Sequence, residues 1–120
     1  MLNAKWREIA LDALKDLQEK LPPEAPDRWS PARPSRSAYD QAKLVLNKMP
    51  DEPLPEPLVQ ATVDGGVQFE WEQDNRELDI EVSSSGDLGY LKVISRAAVE
   101  EGPLNLDSLR SLTNWLRSGP

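Results

Sequence analysis

Five carboxylates, at Glu70, Glu72, Glu77, Asp79 and Glu81, are the residues whose type and spacing bear most on chemistry. Glu70 and Glu72 alternate with Val67, Phe69 and Trp71, and the other three alternate with Leu78, Ile80 and Val82. That period of two on either side of Asp74-Asn75 predicts a β-hairpin with a two-residue turn, both turn residues taking positive φ. The register then sets Trp71 opposite Leu78, Phe69 opposite Ile80 and Val67 opposite Val82, so one face is wholly apolar. It also sets Glu72 opposite Glu77 and Glu70 opposite Asp79, with Glu81 following. Like charges facing each other across strands are destabilising, within the ~0.2–1 kcal/mol scale of cross-strand pairs.

Three kinds of chemistry suit such a face. It can dock a basic protein, the repulsion being relieved on binding and the encounter steered by charge. It can be a solvated face kept charged against edge-to-edge aggregation. It can hold calcium or magnesium, although ligands for these ions converge best from loops, and a flat sheet face supplies that geometry poorly. The expectation is therefore no metal. Acid–base work by Glu70 with Asp79 would need shifted pKa values, which an open, solvated face gives no reason to expect. Lys92, on a following strand, is expected beside Asp79, where it would relieve part of the repulsion.

Other chemistries are excluded by residue type. The chain has no cysteine and no histidine, which removes disulfides, Ser-His-Asp and Cys-His arrangements and most zinc sites. Asp64-Gly65-Gly66 leads into a strand with no Lys after it, so it reads as a hairpin turn and not a phosphate-binding loop. Ser83–Asp87 is likewise a turn. The expectation is a protein that is not an enzyme and uses no cofactor. With 21 acidic against 14 basic residues, the net charge of −7 repels nucleic acid and anionic membranes. No apolar run reaches the ~20 residues of a membrane span. The start, Met1 to Glu8, has no signal-peptide core, and a cytoplasmic location is expected.

The elements that position this face are punctuated by eleven prolines in a chain of 120 residues, the size of one domain. Residues 3–20 have a helical stripe of Trp6, Ala10, Ala13, Leu14 and Leu17, with Asn3 as N-cap and Pro22-Pro23 as the stop. Residues 1–21 are thus an amphipathic helix, and residues 22–34 a proline-rich connection that lets it stand apart. Trp6 and Leu14 have two readings, as anchors in a partner's groove or as part of the core. A domain spanning 35–120 follows. Its first helix starts near Ser35–Ser37, where Ser37-x-x-Asp40 approximates a capping box, and ends at Pro50. After a proline-rich linker at 50–57 come strands at Leu58–Val63, the central hairpin and Gly89–Ile94. A last helix at 105–118 carries Leu106, Leu109, Leu112, Trp115 and Leu116, with Gly119 as its stop. The expected fold is α+β, a three- or four-stranded antiparallel meander with helices packed on one face.

From Trp29 onwards the chain resembles a widespread group of small bacterial proteins of uncharacterised function. The likeness rests on a Trp-containing proline-rich stretch at Trp29–Ser35, the helix at Ala38–Met49 and the link at Pro53–Pro57. It continues through Gly65-Gly66-Val67-Gln68-Phe69-Glu70-Trp71, then Leu78–Val82 and Gly86. The group has Asp-Gly after the first Trp, where this chain has Ser30-Pro31. The resemblance implies one foldable unit and no activity. The expectation from the whole sequence is a protein-binding module for a basic partner, of an antitoxin or immunity type or an accessory subunit of a defence-type complex. The alternatives are a scaffolding domain that self-associates through a sheet edge and a regulator that mimics nucleic-acid charge.

Overall fold

A computed structural model describes residues 4–119. In order they form α1 (Trp6–Lys20), α2 (Arg36–Lys48), β1 (Leu58–Ala61), β2 (Val67–Gln73), β3 (Arg76–Val82), β4 (Leu88–Ile94), β5 (Ala97–Pro103), a 3-10 turn (Leu106–Ser108) and α3 (Leu109–Ser118). The strands make one antiparallel meander in the order β1-β2-β3-β4-β5. The α+β class is as expected, but the sheet has five strands where three or four were expected. No helix among the described residues is long and apolar enough to cross a membrane. The expected cap at Asn3 lies outside the described residues.

The hairpin β2–β3 has the register that its alternation predicts, from Val67 opposite Val82 to Gln73 opposite Arg76. Its turn differs in one respect: only Asp74 has positive φ, at 56°, and Asn75 does not. The loop is still two residues long, so the register is unchanged. On the preceding turn Gly66 is required by space, because a Cβ there would meet the Val82 carbonyl oxygen at 2.3 Å.

The three helices share the apolar side of the sheet. Val67, Phe69, Trp71, Leu78, Ile80 and Val82 are each at most 1% exposed, packed with Ala42, Val45 and Leu46 of α2 and Leu109 and Leu116 of α3. Ser35, not Ser37, caps α2: its Oγ accepts from the Ala38 N–H at 3.0 Å, while its carbonyl accepts from Tyr39 at 2.9 Å. Ser37 is already a full helical residue, so its spacing to Asp40 is not a box. The last helix begins as the 3-10 turn, stabilised by Asn105 Oδ1 accepting from the Asp107 N–H at 2.9 Å. Gly119 ends it at φ 84°.

Helix α1 is docked. Trp6 and Leu14 are each 1% exposed, so of their two readings the structure realises the core. The Trp6 ring meets Trp71 edge-on, with centroids 5.9 Å apart and planes at 81°. Its indole N–H donates to the Glu52 carbonyl at 2.8 Å. Arg7 then does what a helix C-terminus needs, donating to the otherwise open carbonyls of Leu46 (2.8 Å), Met49 (2.5 Å) and Pro50 (3.2 Å) and pairing with Asp51. The connection before α2 is tied down by Ser35 as well, whose N–H reaches Gly65 and whose hydroxyl donates to Ser84.

Candidate functional site: the acidic face of the sheet

The side of the sheet away from the helices carries the five carboxylates in the expected rows. Glu72 lies opposite Glu77, Glu70 opposite Asp79 and Gln68 opposite Glu81. Side chains of paired residues in an antiparallel sheet share a face, so the neighbours on the flanking strands can be read from the register. On β4, Leu91 is opposite Asp79, Val93 opposite Glu77 and Gly89 opposite Glu81. On β1, Leu58 is opposite Glu70, and on β5, Glu101 is opposite Leu91. The face is thus an acidic band between apolar margins, with Leu58 half exposed on one side and Leu91 and Val93 partly exposed on the other.

Lys92 does not relieve this band, contrary to expectation. It pairs with Leu78 and so points to the helix side, where its Nζ lies 3.1 Å from Glu100 and 5.3 Å from the centre of the Trp115 ring. The physical reason is the period of two: Leu91, not Lys92, shares a row with Asp79. Among the described residues, no ion pair joins a Lys or Arg to any of the five carboxylates, whereas Asp16, Glu19, Asp40, Asp51, Glu52 and Glu100 all have one.

The centre of the band is crowded. Glu70, Glu77 and Asp79 each place one carboxylate oxygen within 4.8 Å of the other two. Asp79 sits on the middle strand with Glu70 and Leu91 beside it and Glu77 and Glu81 along its own strand, and only 5% of it remains exposed. Its Oδ1 is enclosed and accepts no hydrogen bond. Burial, then contact with the Glu77 carboxyl, then the charges of Glu77, Glu70 and Glu81 push its pKa up to about 7. Burial first, and then the charges of Glu77 and Glu72, also raise Glu70. The expectation of unshifted carboxyls on an open face is therefore corrected: the face is open at its margins and closed at its centre. Glu100 on the opposite side shows the contrast, held below its ordinary value first by the Tyr90 hydroxyl and then by Lys92.

The structure brings Glu70, Glu72, Glu77, Asp79 and Glu81 together on one face and leaves Trp6 and Leu14 buried on the other side of the sheet. Sequence reasoning missed Leu91, Val93 and Glu101 as members of the face. The available signal was that Leu88–Ile94 is apolar at both odd and even positions, which means apolar residues on both sides of that strand. Such a band can accept Lys or Arg side chains, hold a hard cation or share a proton near neutrality. Comparisons of the chain with models of known families, with curated proteins and with solved structures found no match.

Proposed function

We propose that the chain is a non-catalytic binding module whose acidic sheet face docks a basic protein. The observation that carries this reading is the contrast between the two sides of one sheet: Glu100 on the helix side, Asp16 and Glu19 of α1 and Asp40 of α2 each pair with a cation, while among the described residues none of the five acids of the band at Glu70, Glu72, Glu77, Asp79 and Glu81 does. Repulsion left in the free protein is relieved when a partner supplies the cations, so it contributes to affinity and to the rate of encounter. Glu72 and Glu81 are exposed and meet the partner first. Leu58, Leu91 and Val93 at the margins offer the apolar contact that charge alone does not. A cytoplasmic, antitoxin-like or immunity-type role, or that of an accessory subunit, is the biological setting this chemistry suits.

Self-association through a sheet edge is less well supported. The edge strand β5 is exposed at every residue except Gly102, but it carries a register shift beside Lys92 and Val93, adjacent acids at Glu100 and Glu101, and Pro103 at its end. Each of these blunts an edge against pairing with a second copy.

The test is a pull-down of the tagged protein from its native host at low and at high salt, repeated with the double variant Glu72→Lys, Glu81→Lys. One stoichiometric basic protein, lost at high salt and lost in the variant, is the expected result. A partner that the variant retains in full would show that docking does not use this face.

A further inference from the structure

We propose that Glu70, Glu77 and Asp79 form a binding site for one hard divalent cation, Ca²⁺ being favoured because it tolerates irregular carboxylate geometry. The inference goes beyond the docking reading and does not depend on it. A basic protein would engage the exposed Glu72 and Glu81, whereas the cation would sit over the enclosed centre.

Two independent observations meet there. The first is geometric: one oxygen from each of the three carboxylates lies within 4.8 Å of the others. Oxygens bound at about 2.4 Å on opposite sides of a Ca²⁺ are about 4.8 Å apart, so no two oxygens of the trio are too far apart to share that ion. Mg²⁺, which demands a near-ideal octahedron at about 2.1 Å and gives up its waters reluctantly, suits three carboxylates fixed on paired strands less well. The second is the state of Asp79, which is 95% buried by its own exposure of 5% and has an Oδ1 with no hydrogen-bond partner. A buried carboxylate oxygen left without a donor is rare in folded proteins, and a bound ion is one of the few arrangements that satisfies it. No lysine or arginine pairs with the three carboxylates among the described residues.

The donor set fixes the class of ion. All three ligands are carboxylates and the chain has no cysteine or histidine, which selects against soft and borderline metals. Glu70 and Glu77 are only partly buried and form the open side, where waters complete the coordination. Three carboxylates around a divalent ion leave one net negative charge, so the band remains acidic when the ion is bound. The competing occupant is a proton shared by Asp79 and Glu77. It neutralises one charge where the cation offsets two, and it leaves Glu70 beside a carboxyl pair that is still charged.

The site is tested by calorimetric titration of Ca²⁺, and separately of Mg²⁺, into the chelator-stripped protein at about pH 7.5 in moderate salt, where the carboxyls are available to metal. Asp79→Asn and Glu70→Gln remove like charges from a crowded row, so both variants keep the fold, which circular dichroism verifies. Glu72→Gln lowers the charge of the band beside Glu70 while leaving all three ligand carboxylates in place. One Ca²⁺ per chain is expected, with Mg²⁺ weaker, and with Ca²⁺ affinity falling roughly tenfold or more in Asp79→Asn and in Glu70→Gln but much less in Glu72→Gln. Absence of saturable Ca²⁺ binding up to about 10 mM, beyond the weakest affinities of protein calcium sites, would overturn the proposal. Equal weakening by Glu72→Gln and Asp79→Asn would overturn it too, since diffuse counter-ion attraction would then explain the heat. Either failure leaves the salt-dependent pull-down free to succeed, so the two readings fail separately.

Discussion

The two faces of the β2–β3 hairpin are made by the same two strands in the same register, and they do opposite things. Towards the helices, Phe69 meets Ile80 and Trp71 meets Leu78, every one of them closed to solvent. Away from the helices, Glu70 meets Asp79 and Glu72 meets Glu77, and among the described residues no cation pairs with them. Burial on the first face is what makes the crowding on the second tolerable. A strand that had to be stable on its own could not carry two acid–acid rows, but one held by a helix-covered core can. The difference teaches that the outer face is not simply what remains after the core is satisfied. Threonine or alternating charge in these rows would serve solubility as well and stabilise the sheet.

The largest effect should come from breaking the inner face. Phe69→Ala removes a fully enclosed ring beside Trp71, whose centroid is 5.8 Å away. A loss of about 3–5 kcal/mol is expected, read as a lower urea midpoint. An effect under about 1 kcal/mol would mean that the helices do not clamp the sheet as tightly as this packing requires.

How much of this contrast could be read from the chain depended on how local each signal was. The hairpin was legible residue by residue, because a two-residue turn and a period of two leave only one register that buries Phe69 and Trp71 together. Strand β5 was not, because its turn at Ser95-Arg96 reaches φ of 50° and 70° without the glycine or asparagine that announces such turns. The residues Ala97–Pro103 also show no alternation, since almost all are exposed. Without β5 and the correct phase of β4, the sequence alone puts Lys92 beside Asp79 and leaves the centre of the band solvated. The docking of α1 was equally hidden, because it depends on Arg7 finding the carbonyl end of α2, 39 to 43 residues further on. Trp6 and Leu14 show the periodicity of a stripe in either role, and periodicity does not say what the stripe faces.

On the outer face the sign should reverse, and pH should reveal it. Asp79 is raised to about 7 in the folded chain from an ordinary value of 3.8. A carboxyl raised by folding binds its proton more tightly in the native state, so its contribution favours the fold below the unfolded value and is lost as pH rises through the folded one. With a chelator present, stability is therefore expected to fall by roughly 2 kcal/mol between pH 4 and pH 8. Urea denaturation across that range measures it. A flat or rising profile from pH 5 to pH 8 would mean that Asp79 is solvated in solution.

Asp79→Asn sharpens the same point by removing the charge and keeping the shape. In chelator at pH 8 the variant should be more stable than the parent by roughly 1 kcal/mol, and most of the fall between pH 5 and pH 8 should disappear. In the presence of Ca²⁺ the order should invert if the trio holds the ion, because ligand bound only to the native parent adds to its stability. A variant less stable than the parent at pH 8 in chelator would show that the Asp79 carboxylate has a partner in the free protein.

The smallest effect belongs to the margin, and it tests whether the face is graded from centre to edge. Glu72 is exposed, while its cross-strand neighbour Glu77 is half buried and reaches inward to Asp79. Replacing Glu72 by Thr removes one like-charge row and supplies a residue that suits a strand. A gain of about 0.2–1 kcal/mol is expected at low salt, shrinking as salt rises because solvent already screens most of this repulsion. The effect of Asp79→Asn should shrink far less with salt, since its neighbours are enclosed. If both variants gained equally and lost that gain equally in salt, the band would be one uniform solvated surface. A larger, salt-resistant effect at Asp79 and a small, screened one at Glu72 would instead make the enclosed centre and the exposed rim two separate devices, one built for a small cation and the other for the side chains of a partner.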